Sequence, residues 1–140
     1  IDFVRIACHP DKIQETLKVA EDLHKKEYKI FIPLMEIQNV GADGYIELFQ
    51  WQNKNILESL YFADSYSALK PEDIEKYYNK LKTIGYEKLS FHAHNELGLA
   101  LENSLRAAEL GCYTIDTTFN GIGRGGGNLK LQELLENLPC

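Results

Sequence analysis

The 140-residue chain has few of the features that mark membrane or nucleic-acid-binding proteins. Its apolar runs are far too short to cross a bilayer, because a spanning helix needs about twenty consecutive apolar residues. The formal net charge is −6 and the lysines and arginines are scattered, so a nucleic-acid backbone would be repelled. These absences favour a soluble globular protein whose partner is a small molecule, with neither a nucleic acid nor a membrane as partner.

Cysteine is also scarce, since only Cys8, Cys112 and Cys140 occur, an odd number at wide spacing. No paired cysteine motif is present, so neither a disulfide framework nor a zinc ribbon is expected. Small buried thiols are the better interpretation of Cys8 and Cys112. This cysteine usage fits a reducing cytoplasm best. The chain starts at Ile1 in an apparent strand, so we expect no signal peptide and a piece cut from a longer protein.

Two common catalytic motifs are missing as well. The glycine-rich stretch at residues 121–128 lacks the Lys-Ser/Thr of a P-loop. Its glycines could supply backbone N–H groups to an anionic ligand, or could form a flexible closing loop. Ser65 is not part of a Gly-x-Ser-x-Gly elbow and has no histidine nearby in sequence. We therefore expect the Ser65 hydroxyl to hydrogen-bond a substrate rather than to attack it.

The sequence does contain a regular alternation of apolar runs and amphipathic stretches. Strands are predicted at residues 1–8, 28–35, 56–63, 87–94 and 113–119. Helices are predicted at residues 11–23, 45–50, 71–84, 96–110 and 129–138. Strand and helix thus alternate five times at roughly 30 residues per unit, which is typical of a parallel α/β architecture. Spacing alone leaves open whether the sheet is doubly wound or part of a barrel.

Individual residues predict where two helices begin and where one strand is less stable. Asp11 and Gln14 have the spacing of a capping box for the first helix. Asn95 can cap a helix that begins directly after it, at Glu96. Pro33 would remove a ladder hydrogen bond from the second strand, which makes the later half of that strand less secure.

His92 and His94 alternate along the fourth predicted strand, so both imidazoles point to one face while Phe91 and Ala93 point to the other. The pair would lie at the carboxyl end of the strand, where active sites of strand–helix folds are found. Neutral imidazole is the commonest protein ligand for zinc, manganese and iron. The spacing alone is more typical of histidines that pack or hydrogen-bond, and it is the strand-end position that strengthens the case for a metal.

Other side chains follow strand ends and could join the same site. A third metal ligand would usually be a carboxylate, and Asp64 and Asp116 stand at such positions, although a helix cap or loop position is the alternative for each. His9 follows the first strand and could reach the same mouth. Arg124 could bind a carboxylate or phosphate, or could face solvent.

Three motifs, at residues 91–100, 115–118 and 121–128, together resemble the metal-dependent aldolase, lyase and acyl-synthase superfamily related to hydroxymethylglutaryl-CoA lyase. Residues 4–7 and 63–65 fall where that family places strand ends, so the resemblance extends over nearly the whole chain. The family fold is a (β/α)8 TIM barrel, and this chain is similar to its fourth to eighth units. The resemblance implies that all 140 residues are a partial TIM-barrel catalytic domain, a C-terminal fragment without the N-terminal strands.

The resemblance also implies roles for individual residues. His92 and His94 look like the two histidine ligands of a divalent cation, Mn²⁺ or Mg²⁺, with Zn²⁺ as a further candidate. Asn128 is similar to a ligand that only some members use. Ser65 resembles a residue that contacts the pyruvate-like carboxylate. Arg124 is expected to bind substrate on the chemistry of its guanidinium, and not from the resemblance. The family's first-strand Asp-Arg-Glu-type motif has no counterpart here, so the general base and the catalytic arginine are unassigned.

Departures from the family pattern favour one branch of it. The acyl-CoA condensing synthases have Glu where Arg124 stands, and the CoA lyases have a catalytic Cys in this loop. The short glycine-rich loop looks most like that of the 4-hydroxy-2-oxoacid aldolases. The resemblance therefore implies a carbon–carbon lyase that cleaves a 4-hydroxy-2-oxo acid through a metal-bound pyruvate enolate.

Two alternatives stay open. One is an acyl-CoA condensing synthase of the isopropylmalate or homocitrate synthase type. The other is a non-catalytic binding relative, because Arg124 is unusual and Ser67 stands where the family has Gly. The implied partner is a keto acid or hydroxy-keto acid, and a homo-oligomer formed through regions outside this chain is also open.

Overall fold

A computed structural model describes residues 2–138, so Cys140 lies outside the described residues. The strands are β1 (Phe3–Arg5), β2 (Lys29–Leu34), β3 (Leu57–Asp64), β4 (Leu89–Ala93) and β5 (Thr114–Ile115). The helices are α1 (Ile13–His24), α2 (Ile37–Val40), α3 (Ile46–Gln50), α4 (Pro71–Thr83), α5 (Ala100–Glu109) and α6 (Leu131–Asn137). Short 3-10 turns occupy Ala42–Tyr45 and Lys54–Ile56.

The order of the strands decides between the two architectures that the spacing allowed. The sheet runs β1-β2-β3-β4-β5, and every neighbouring pair is parallel. A doubly wound sheet reverses its strand order at a switch point, whereas a barrel adds each new strand beside the previous one. The five strands form a half-barrel that matches part of a TIM barrel, which confirms the expected fold.

Alternate residues of each strand separate the core from the barrel interior. Ile32, Phe62 and Phe91 are fully buried in a hydrophobic core with residues of α1, α4 and α5, and the Phe62 and Phe91 rings lie 5.0 Å apart. The opposite face carries aromatic and hydroxyl side chains such as Phe31 and Tyr61. The helices therefore cover one face, and the other forms the interior that leads to the carboxyl ends of the strands.

β5 is shorter than the expected residues 113–119. The chain leaves β4 after Ile115, and Thr118 instead forms an isolated bridge with Lys130. The reason is that the glycine-rich loop occupies the edge beyond β4, where His94 forms an antiparallel bridge with Asn128. β1 is also shorter than residues 1–8, although pairing with β2 resumes at Cys8.

The capping box expected for α1 is wrong. The helix begins at Ile13 with Lys12 as its N-cap, and no side chain caps it. Gln14 instead donates a hydrogen bond to Glu47 at 2.5 Å, which attaches α1 to α3. Pro33 does not end β2, which continues through Leu34.

α5 begins at Ala100 rather than at the expected Glu96. A turn separates the two, with Gly98 in the left-handed region at φ 75° and Leu97 65% exposed. Asn95 does accept a hydrogen bond at the helix start, but from the N–H of Ala100 at 3.1 Å. The cap therefore acts across the turn, which carries the chain from the site to the helix.

The described thiols agree with the expectation from sequence. Cys8 is fully buried and Cys112 is partly buried, and both are free thiols. Burial raises the pKa of Cys8 to about 11 and that of Cys112 to about 12. Within residues 2–138, no helix has both the length and the apolarity that a bilayer span requires.

Candidate active site

His92 and His94 lie side by side at the carboxyl end of β4. Their ring centroids are 5.1 Å apart and the rings meet edge to face. Both side chains are partly buried. The expectation that two alternate strand residues would present their imidazoles to one face is confirmed. Two imidazoles at this distance can contribute to one ligand site.

A carboxylate fixes one nitrogen of His92. Nδ1 of His92 lies 3.0 Å from Oδ2 of Asp116, which follows β5. A carboxylate accepts hydrogen bonds, so this contact assigns the proton of a neutral His92 to Nδ1 and leaves the Nε2 lone pair for a ligand. Asp116 is thus engaged behind the imidazole and is not free to serve as the third metal ligand.

Arg5, on β1, completes this arrangement from the other end of the sheet. Nη1 and Nη2 of Arg5 donate to the two carboxylate oxygens of Asp116 at 2.7 and 2.5 Å. Burial would raise the pKa of Asp116, but hydrogen bonds from His92 and Arg5 together outweigh it and lower the pKa to about 2. The hydrogen bond to Asp116 in turn raises the pKa of Arg5. The carboxylate of Asp116 is therefore ionised at neutral pH. It contacts the His92 imidazole as a negatively charged hydrogen-bond acceptor.

His94 is oriented by the glycine-rich loop. Its Nδ1 lies 3.4 Å from the carbonyl oxygen of Arg124, and its backbone bridges to Asn128. The next residue, Asn95, donates its N–H to the carbonyl of Gly127 at 2.8 Å. Burial lowers the pKa of His94, which favours the neutral imidazole that a metal ligand requires.

Asn128, whose backbone bridges to His94, carries an unusual side-chain oxygen. Its Nδ2 donates to the carbonyl of Ile122 at 3.3 Å, whereas its Oδ1 is buried and has no hydrogen-bond partner among the described residues. A buried side-chain oxygen without a donor is uncommon and calls for a ligand or an ordered water. Amide oxygen and imidazole nitrogen are both donors to divalent cations. The donor set of His92, His94 and Asn128 therefore fits such an ion.

Asp64 does not join these donors. Its buried carboxylate accepts the N–H groups of Ala68 at 2.8 Å and Leu69 at 3.3 Å, together with Nε2 of Gln38 at 3.3 Å. Burial raises the pKa of Asp64 despite these bonds. Asp64 therefore stabilises the loop before α4. This agrees with the alternative given for it from the sequence, a cap or loop position rather than a metal ligand. Residues 2–138 contain no cluster of three His, Cys, Asp or Glu side chains able to hold a metal.

A cleft of about 480 Å³ opens beside His94. It is lined by His9, Glu36, Ser65, Tyr66, Arg124 and Glu96, among others. The structure thus brings His9, Ser65 and Arg124 to the same mouth as His94, as expected for residues at strand ends. Oγ of Ser65 accepts the N–H of Glu36 at 3.0 Å, which leaves its own O–H free to donate. A larger cavity of about 670 Å³ lies at the amino ends of β2–β4, away from these residues.

Ser67 and Gly126 shape the turn after the histidines. Ser67 is buried with φ 52°, and its Oγ accepts the N–H of Glu96 at 2.8 Å. A Cβ at Gly126 would lie 2.3 Å from Cα of Glu96, so only glycine fits this approach. The serine at the usual glycine position thus preserves the loop by holding the backbone that Gly126 packs against.

Arg5 is a site residue that was not predicted from the sequence. Phe3 and Arg5 alternate along β1, which places the guanidinium on the same face as Phe3. That pattern indicates a charged group in the interior, and such a group needs a partner. It does not identify the partner, because Asp116 lies 111 positions away.

Comparison with known proteins identifies the family of this chain. The HMGL-like family matches residues 7–139. The chain belongs to the HMGL-like family. This confirms the membership that the three sequence motifs predicted.

Individual HMGL-like relatives cover nearly all of this chain. It is 37% identical over 135 residues to a 4-hydroxy-2-oxovalerate aldolase of Spirochaeta aurantia, with 96% of this chain and 40% of that protein covered. It is 32% identical over 141 residues to the enzyme of that name from Pelotomaculum thermopropionicum, with 99% and 41% covered. The N-terminal domain of a candidate aldolase from Bacteroides vulgatus superposes with a TM-score of 0.86 at 26% identity, covering 97% of this chain and 46% of that one. The chain spans about two fifths of the length of these curated relatives.

Proposed function

We propose that this HMGL-like chain is part of a divalent-metal-dependent aldolase that cleaves a 4-hydroxy-2-oxo acid. The observation that carries the proposal is a set of three donors: the two imidazoles of β4 lie side by side, and Asn128, whose backbone bridges to His94, has a buried Oδ1 without a hydrogen-bond partner among the described residues. The aldolase names of the relatives support the same reaction class.

His92, His94 and Asn128 are the residues that would hold the cation, Mn²⁺ or Mg²⁺, with Zn²⁺ as a further candidate. When bound, the ion supplies Lewis-acid stabilisation of the negative charge that carbon–carbon cleavage leaves on the keto acid. Asp116 contributes by keeping the proton of His92 on Nδ1. The buried setting of His94 contributes by favouring its neutral form.

Ser65 and Arg124 are the proposed substrate contacts. The hydroxyl of Ser65 already accepts the N–H of Glu36, so its own proton is available to a substrate carboxylate. The Arg124 side chain forms no ion pair with another residue in positions 2–138, and it lines the same cleft. A guanidinium and a hydroxyl at one mouth are suited to orient a carboxylate.

The remaining catalytic groups are proposed to lie in further β/α units of a complete barrel, of which this chain is a partial catalytic domain. A general base must remove the 4-hydroxyl proton as the carbon–carbon bond breaks. A carboxylate is the expected further ligand, and the two candidates from the sequence, Asp64 and Asp116, are engaged elsewhere. The free thiols Cys8 and Cys112 suit a reducing cytoplasm, which we propose as the location.

An activity assay on the metal-stripped full-length protein tests the proposal. Pyruvate release from 4-hydroxy-2-oxovalerate is expected after addition of Mn²⁺ or Mg²⁺ and is expected to stop with a chelator. His94→Ala should lower kcat/KM by about a thousandfold, since loss of Lewis-acid stabilisation costs several kcal/mol. The matched control is His24→Ala, which removes an exposed histidine of α1 and should leave the rate unchanged.

The same assay separates the alternatives. Release of CoA from acetyl-CoA in the presence of a 2-oxo acid, with no pyruvate formed, indicates an acyl-CoA condensing synthase. No turnover of either substrate in the metal-loaded protein indicates a binding relative. Pyruvate release that is undiminished in His94→Ala contradicts the proposed role of the histidines.

A further inference from the structure

We propose that Arg5 is a positioning residue for the cation site, acting through Asp116 on His92. The inference rests on the proposed function, because the residue being positioned is a proposed metal ligand. Arg5 touches neither imidazole among the described contacts. Its effect on the site passes through the carboxylate that it shares with His92.

The geometry leaves the carboxylate of Asp116 one orientation. The two terminal nitrogens of Arg5 occupy both oxygens, at 2.7 Å to Oδ2 and 2.5 Å to Oδ1. Oδ2 also meets Nδ1 of His92 at 3.0 Å. Rotation of the carboxylate would break the planar two-bond pairing with the guanidinium. The direction from which Asp116 holds the imidazole is therefore set by Arg5.

Arg5 is itself held in place by Tyr61. The guanidinium carbon lies 4.4 Å from the centre of the Tyr61 ring, and Nη2 is 2.5 Å from the phenol oxygen. The phenol oxygen is also 2.7 Å from Oγ1 of Thr114. Tyr61 is only 3% exposed, whereas the Arg5 side chain is 43% exposed. A half-exposed arginine is thus anchored by a buried neighbour.

An ordinary surface ion pair would not fix the orientation of the carboxylate behind His92. Exposed pairs contribute little and connect flexible side chains. Arg5 and Asp116 instead belong to β1 and to the end of β5, the two outer strands of the half-barrel, and the Asp116 side chain is only 18% exposed. Among the described residues, Asp116 has no side-chain partner besides Arg5 and His92. Removal of Arg5 leaves a mostly buried carboxylate free to rotate away from the imidazole.

The inference is tested by Mn²⁺ binding to the full-length protein, measured by calorimetric titration. Loss of a group behind a metal ligand typically weakens metal affinity about 10- to 100-fold, so Arg5→Met should raise Kd by that factor. Arg5→Lys keeps the charge but not the two parallel bonds, and an intermediate Kd is expected. Arg106→Met is the control, since Arg106 pairs with Glu75 and Glu109 on the helical surface, and its Kd should stay unchanged.

A second readout distinguishes positioning from a loss of stability. Nitrogen-15 NMR of the metal-free protein should show the His92 proton on Nδ1 in the wild type and a mixture of tautomers in Arg5→Met. Thermal melting in chelator shows whether the variant is folded. Should Arg5→Met fail to fold, Tyr61→Phe keeps the ring and removes both phenol contacts, and a weaker rise in Kd is expected.

The outcomes separate this inference from the proposed function. A Kd within twofold of wild type in both Arg5→Met and Tyr61→Phe, with His92→Ala losing Mn²⁺, overturns the role of Arg5 and leaves the metal site standing. A wild-type protein that takes up no Mn²⁺ overturns both. A rise in Kd in Arg106→Met equal to that in Arg5→Met shows a nonspecific charge effect and also overturns the inference.

Discussion

His92, His94 and Asn128 share one arrangement at the scale of the single residue. In each, one polar atom contacts the protein: Nδ1 of His92 meets Asp116, Nδ1 of His94 meets the Arg124 carbonyl, and Nδ2 of Asn128 meets the Ile122 carbonyl. The other polar atom of each side chain has no partner within residues 2–138. Two adjacent imidazoles and an amide on the segment bridged to His94, each with one donor atom unused, are suited to a shared ligand.

The reactivity of Cys8 can be predicted from its surroundings. Burial raises the pKa of the Cys8 thiol from 9.0 to about 11. At pH 9 about 1% of such a thiol is ionised, compared with about half of an ordinary one, and the thiolate is the reactive form. We therefore expect iodoacetamide to modify Cys8 at least about fifty-fold more slowly in the folded protein than in guanidinium chloride. Peptide mass mapping at timed intervals measures this ratio, and equal rates in the two conditions contradict the buried position.

At the scale of the element, β4 could be predicted and the start of α5 could not. The facing of His92 and His94 follows from the two-residue period of a strand, which is a local property. The start of α5 depends on contacts that are remote in sequence. Gly126 packs closely against the backbone of Glu96, and the N–H of Glu96 donates a hydrogen bond to Oγ of Ser67. These contacts keep the chain after Asn95 in a turn, so the helix begins only at Ala100.

The glycine-rich loop should be intolerant of a side chain at Gly126. A Cβ there would lie 2.3 Å from Cα and 2.7 Å from N of Glu96, and backbone atoms cannot move aside as side chains do. Gly126→Ala should lower the free energy of unfolding by about 1–3 kcal/mol, the usual range for overpacking. It should also reduce pyruvate release at least tenfold, because the displaced loop carries Asn128. Denaturant unfolding and the activity assay measure the two effects.

Gly98→Ala is the matched control for this variant. No atom lies within 4 Å of its added Cβ, but φ is 75°, so the cost is about 1 kcal/mol of backbone strain without a clash. Its activity should stay within about twofold of wild type. Equal losses of activity in both variants would show that the approach of Gly126 to Glu96 has no special role.

At the scale of the whole molecule, the curved sheet brings together residues whose contact could not be predicted from the sequence. The contact between Arg5 and Asp116 joins residues that are 111 positions apart, and it requires the curvature of all five strands. Strand–helix spacing predicted the repeat, and the family resemblance predicted the barrel. The pairing across the interior depends on accumulated twist and tilt, which no local pattern specifies.

We propose that this half-barrel supplies two imidazoles and an amide oxygen to a divalent cation. The direct test is equilibrium binding of Mn²⁺ to the metal-stripped full-length protein, followed by electron paramagnetic resonance of the free ion. The wild type and the His24→Ala control should bind one Mn²⁺ per chain with the same affinity. The double variant His92→Ala, His94→Ala should bind at least about a hundredfold more weakly, since it lacks both nitrogen ligands. Unchanged affinity and stoichiometry in the double variant would contradict the proposed site.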